Sequence, residues 1–133
     1  MNNMREIKFR IWFKNWEGIG KGGFNFPTKD DFDYYAITLT GKVCRPVEGY
    51  DRGSAELSLE NQDEYILNQY TGLKDKNGQE IYEGDIIDFN GYHREVRWSD
   101  STASFLPVTQ DEAETESIVV GNIYENPELL NQK

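Results

Sequence analysis

Two carboxylate groups, one glycine run and two solitary side chains are where this sequence could carry chemistry. Asp75, Asn77 and Gly78, in "DKNGQE", have the look of a calcium loop. An EF-hand loop places its glycine at the sixth position, between two helices. Here Gly78 falls at the fourth position counted from Asp75, without helical flanks, so the segment reads as a hairpin turn. Glu83, Asp85 and Asp88 form the second group. In an extended strand Glu83 and Asp85 share a face and Asp88 opposes them, so joint metal binding would need a bulge. A metal-assisted hydrolase built on Asp85 or its neighbours is the enzyme such a group would support. One histidine, His93, and one cysteine, Cys44, are too few for a zinc site. Either would need catalytic partners from elsewhere, so they read as a surface-facing strand histidine and a small buried thiol. The run "GIGKGG", Gly18–Gly23, offers backbone amides to a phosphate. It lacks the Ser or Thr after its lysine and a following helix, and reads as a flexible hairpin loop. No catalytic, metal or cofactor-binding residue is assigned, and no cofactor is implied.

The elements that would position these groups are mostly strands. "REIKFRIWF" alternates, with Ile7, Phe9, Ile11 and Phe13 on one face and Glu6, Lys8, Arg10 and Trp12 on the other, as in a half-buried strand. "YYAITLT" and "VCRPV" follow as strands joined at Gly41-Lys42, with Pro46 marking a strand end or an edge. Leu57 and Leu59 alternate as in a strand, yet the same residues would suit a helical turn. "YILNQYTGL" is a strand, "KDKNGQE" a turn and "IYEGDIIDF" a further strand. Asn90-Gly91 then predicts a type I′ hairpin into "YHREVRW", because both central residues of that turn need positive φ. Beyond the turn, Tyr92, Arg94, Val96 and Trp98 share one face and His93, Glu95 and Arg97 the other. The acidic run "DEAETE" connects to the strand "SIVVGNIY". "ENPELL" predicts a closing helical turn, with Asn126 as cap, Pro127 first and Glu128 near the positive end.

A chain of 133 residues has room for one domain or two small ones sharing a core. Eight Tyr, seven Phe and three Trp offset a hydrophobic content of only 37% and favour strands. Several short strands joined by tight turns suggest a small SH3-like, partly closed barrel in the C-terminal half. The expected class is all-β, with residues 1–65 as an N-terminal β subdomain, the barrel in 66–133 packed on it, and a short C-terminal helical turn. Charge is uneven: residues 1–29 carry six cations and two anions, a net +4, which leaves −14 in the remainder out of −10 in total. That balance argues against direct nucleic-acid binding, although the basic N-terminal strand has aromatics that could stack on single-stranded bases. It also leaves open a meeting of the basic strand with an acidic surface of another copy, a homo-oligomer. No run approaches about 18 apolar residues, and the start "MNNMREIKFR" has no apolar signal core, so the expectation is a cytoplasmic protein without a membrane partner.

Three blocks, "REIKFRIW", "QYTGLKDKNGQEIYEGDII" and "VVGNIYENPELL", stand in that order across nearly the whole chain. Together they resemble the YopX family, small proteins of phages and prophages of Gram-positive bacteria. The resemblance implies a β-rich fold and an accessory role in a bacterial host cell, and it brings no catalytic or binding residues to transfer. The reading that follows is a non-enzymatic module whose partner is a host or phage protein. An acidic mimic of nucleic acid, blocking a host DNA- or RNA-binding enzyme, is the alternative. The interaction surface is placed in the middle block, at Tyr70, Lys74, Lys76, Tyr82, Glu83 and Asp85.

Overall fold

In the computed structural model, which describes residues 6–14, 22–26, 36–37, 40–46, 57–59, 64–107 and 110–131, the chain forms two compact units. One comprises residues 10–67 and the other residues 1–9 and 68–133. Trp16, Gly18–Lys21 of the glycine run, Gly49 and Gly53 lie outside the described residues, as does the side chain of Cys44. The protein is mainly β, with a curled half-barrel sheet and a 3-10 turn at the C-terminus.

In the unit of residues 10–67, strand β1 (Phe9–Phe13) pairs antiparallel with β2 (Gly23–Asn25), matching Trp12 to Phe24 and Phe13 to Gly23. The half-buried alternation expected of β1 is not what forms. Ile11 and Phe13 are buried, but so are Arg10 and Trp12 on the opposite face. The cause is Phe24: its ring meets Trp12 edge-on at 4.8 Å and lies 4.1 Å from the Arg10 guanidinium. Trp12 also lies so close to Gly22 that a side chain there would occupy the indole ring. A second sheet runs β3 (Ala36–Ile37), β4 (Val43–Pro46), β5 (Leu57–Leu59) in that order. Thus Leu57–Leu59 is a strand, and Pro46 is the last residue of a central strand, opposite Leu57, and does not lie along an edge. Ile11, Phe13 and Val43 form the core with Ile37, Tyr65 and Leu67, and Tyr65 meets Phe13 edge-on at 4.8 Å. Each aromatic or branched side chain buried there contributes about 1.5–3 kcal/mol.

The other unit holds most of β6 (Tyr65–Lys74), then β7 (Glu80–Tyr82), β8 (Asp85–Phe89), β9 (Tyr92–Glu95), β10 (Arg97–Ser99), β11 (Ser104–Leu106) and β12 (Ser117–Asn122). "IYEGDIIDF" is therefore two strands: β7 pairs with β6, while β8 sits between β12 and β9. Gly84, at φ +86, makes the break between them. Asn90 and Gly91 both have positive φ, as the type I′ hairpin between β8 and β9 requires. The acidic connector is a short helix, α1 (Gln110–Glu116), held because Ala113 is wholly buried and its carbonyl accepts from Ser117 Oγ at 2.7 Å. Ile81, Ile87, Val96 and Ala113 make the core, with Leu73, Phe89 and Val119 against it. The closing 3-10 turn, Pro127–Leu130, has proline at its start but no side-chain cap from Asn126. Asn126 Oδ1 instead accepts from the Asn122 amide at 3.3 Å. No helix among the described residues is long and apolar enough to cross a membrane.

Candidate functional site

The carboxylates of the middle block hold the backbone in place. Asp75 is 3% exposed, and its Oδ1 accepts from the amides of Asn77 and Gln79, both at 2.9 Å. Its Oδ2 accepts from the Val119 amide at 2.9 Å, tying the β6–β7 turn to β12. Asp85 is equally buried, with Oδ2 accepting from the Tyr82 amide at 2.8 Å across the Gly84 turn. Glu83 Oε1 accepts from the Gln69 amide at 3.0 Å, while the Glu83 amide donates back to the Gln69 carbonyl. Asp88 accepts from the Gly91 amide at 3.0 Å, closing the hairpin turn. Glu83, Asp85 and Asp88 are thus each drawn to a different stretch of backbone. Among the described residues, no three acidic, His or Cys side chains are grouped as a metal site.

Of the six residues placed on an interaction surface, Tyr70, Tyr82 and Asp85 face inward, Glu83 is half-buried, and Lys74 and Lys76 are exposed. Tyr70 and Tyr82 stand opposite one another on β6 and β7, with ring centroids 5.4 Å apart. Lys8 lies over the Tyr70 ring at 4.8 Å and bonds Glu80, and Glu6 lies 3.3 Å away. The bond to Glu80 holds the Lys8 ammonium above its ordinary pKa. Burial, reinforced by the Glu80 charge, raises the Tyr70 phenol. Between these pairs β6 is bulged at Gly72, φ +84, and Thr71 Oγ1 donates to the Ile81 carbonyl at 2.7 Å. The block's special residues are consumed in shaping a bulge and two turns.

His93 is half-buried rather than surface-facing. Its Nδ1 lies 2.8 Å from the Leu129 carbonyl, which can only accept, so Nδ1 carries the proton. Nε2 points toward Asp88 Oδ2 at 3.6 Å. The imidazole therefore fastens the 3-10 turn to β9.

Beside that contact lies an open cleft of about 510 Å³, lined by His93, Arg94, Glu95, Arg97, Leu106, Pro107 and Leu130. Strict alternation would put Arg94 and Arg97 on opposite faces. The strand breaks at Val96, whose amide donates to the Asp85 carbonyl and whose carbonyl accepts from Gly84, each at 2.8 Å. Val96 is 2% exposed, and the break brings both arginines to one cleft. Neither arginine has a carboxylate partner among the described residues; Arg94 lies only at the edge of cation–π range from Tyr92, 6.0 Å from the ring. Tyr92 and Trp98, on the same two strands, are 63% and 43% exposed. The sequence signal for this cluster is a pair of arginines three positions apart, with Glu95 and Val96 between them, which uninterrupted alternation separates.

The model of the YopX protein family matches residues 8–131. The chain belongs to the YopX family. Among solved structures this YopX chain is similar to the crystal structure of protein EF1440 from Enterococcus faecalis, with a TM-score of 0.58 and 27% identity. The match covers 96% of this chain and 100% of that one, so the two share a fold along nearly all of this chain. No curated protein matches the chain.

Proposed function

We propose that this YopX protein is a non-enzymatic module that binds another protein, encoded by a bacterial host or its phage. The observation that carries the reading is the surface of β9 and β10, where exposed Tyr92 and Trp98 accompany two arginines without carboxylate partners among the described residues. Tyr, Trp and Arg are the residues that most often anchor protein interfaces, because they bury much area at small entropic cost. The engagement of Asp75 and Asp85 by backbone amides further supports binding over acid–base or metal chemistry. Affinity capture after cross-linking in host cells is expected to recover a partner in stoichiometric amount. The Tyr92→Ser/Trp98→Ser variant, checked for folding by circular dichroism, is expected to lose it. Absence of a stoichiometric partner, or capture unaffected by the double variant, would overturn the reading.

A second reading is the acidic mimic of nucleic acid, favoured by exposed Glu114 and Glu116 on α1 and by the −14 carried by residues 30–133. It predicts inhibition of a host nucleic-acid-binding enzyme that weakens steeply with salt. Salt-insensitive association would refute it.

A further inference from the structure

We infer that the cleft between β9, β10, β11 and the 3-10 turn takes an acidic peptide segment carrying at least one apolar side chain. This deepens the protein-binding reading and rests on it.

The charge argument comes first. In a chain of net −10, Arg94 and Arg97 are exposed, line one cleft and have no carboxylate partner among the described residues. A guanidinium presents a planar fork of donors matched to a carboxylate, and two forks in one cleft suit an acidic side chain or pair of them. Glu95 is the one acid among the described residues of the lining, and it is half-buried, so these residues together carry net positive charge.

The second argument is shape and polarity. Leu106, Pro107 and Leu130 give the cleft an apolar wall, and its volume of about 510 Å³ accommodates a few side chains. A phosphate backbone has no use for such a wall, whereas an apolar side chain of a peptide fills it. Trp98 is also poorly placed as a base-stacking platform: its ring packs edge-on against Phe105 at 5.0 Å and its Nε1 donates to Asp100 at 2.9 Å. An acidic–apolar peptide satisfies both sides of the cleft.

Fluorescence anisotropy of the full chain provides the test, with a fluorescein-labelled peptide of alternating Glu and Leu, a Gln-for-Glu version, and labelled oligothymidylate. The Glu–Leu peptide is expected to bind. Replacing its glutamates, or introducing Arg94→Gln or Arg97→Gln, should each weaken binding about three- to tenfold. Leu106→Ser should weaken it without altering its salt dependence. Equal binding of the Gln peptide, unchanged binding by Arg94→Gln/Arg97→Gln, or tighter binding of oligothymidylate would each overturn the assignment. If a cellular partner is captured equally by the wild type and the double arginine variant, the cleft assignment falls while the protein-binding reading stands. If the Glu–Leu peptide binds as described and no cellular partner is captured, the reverse holds.

Discussion

Replacing Asp75 by alanine should destabilise the unit of residues 1–9 and 68–133 by roughly 2–4 kcal/mol, worked from its three bonds. The carboxylate accepts from the amides of Asn77, Gln79 and Val119, all at 2.9 Å. Asn77 and Gln79 are exposed, so water can replace the lost acceptor there at a cost of a fraction of each bond. Val119 is half-buried and packs on the core, so its orphaned amide carries the larger penalty, about 1–3 kcal/mol. Asp75→Asn keeps one carbonyl acceptor and sets an NH2 against at least one amide, for an intermediate cost of about 1–2 kcal/mol. Urea denaturation followed by tryptophan fluorescence and far-ultraviolet circular dichroism measures both variants. With a slope of about 2 kcal/mol per molar urea, the alanine midpoint should fall by about 1–2 M. If Asp75→Ala lies within about 0.5 kcal/mol of wild type, an ordinary surface effect, the structural assignment of this carboxylate is refuted.

Three further outcomes follow from the same contacts. Stability should fall above about pH 10, because the fold retains protons on Lys8 and Tyr70 that the unfolded chain releases from pKa values of 10.5 and 10.0. Both contributions are complete below those values and are lost as pH rises through the folded ones; Tyr70→Phe should shallow the alkaline loss, and an unchanged pH profile would contradict this. Gly84→Ala and Gly78→Ala should each cost about 1–2 kcal/mol in thermal denaturation, because φ is +86 and +82 and neither new methyl meets an atom closer than ordinary van der Waals contact; a cost at Gly84 several times that at Gly78 would contradict this. Asn122→Ala should cost about 2–3 kcal/mol, since Asn122 Oδ1 accepts from the Tyr124 and Glu125 amides and Nδ2 donates to Glu125. Asn126→Ala, which removes one 3.3 Å contact and no cap, should cost under about 1 kcal/mol, and equal costs would sink that distinction.

Much of the β architecture is legible in the sequence because its signals are local. The hairpin at Asn90-Gly91 and the turn after Lys74 each follow from residues in immediate succession, whereas Leu57 and Leu59 suit a strand and a helical turn alike until β4 pairs with them. The failures have a common cause in contacts between distant residues. Phe24 covers the second face of β1, which alternation alone leaves to solvent. Ala113, a single small residue in an acidic run, becomes core because β12 and the sheet close over it. The break at Val96 is set by its bonds to Gly84 and Asp85, and without those bonds Arg94 and Arg97 belong to opposite faces. The middle block shows the converse: dense in glycine, aspartate and tyrosine, it marks the family through backbone geometry, with Asp75 and Asp85 turned inward.

On the proposed reading, this protein binds its partner at the arginine-lined cleft, while the middle block serves the fold. An amide-resolved NMR titration of the labelled full chain with the alternating Glu–Leu peptide tests it most directly. Shifts should concentrate at Tyr92–Arg97, Leu106 and Leu129–Leu130, leaving Lys74–Glu83 unmoved. Shifts centred on Lys74, Lys76 and Glu83, or none at the cleft, would contradict the account.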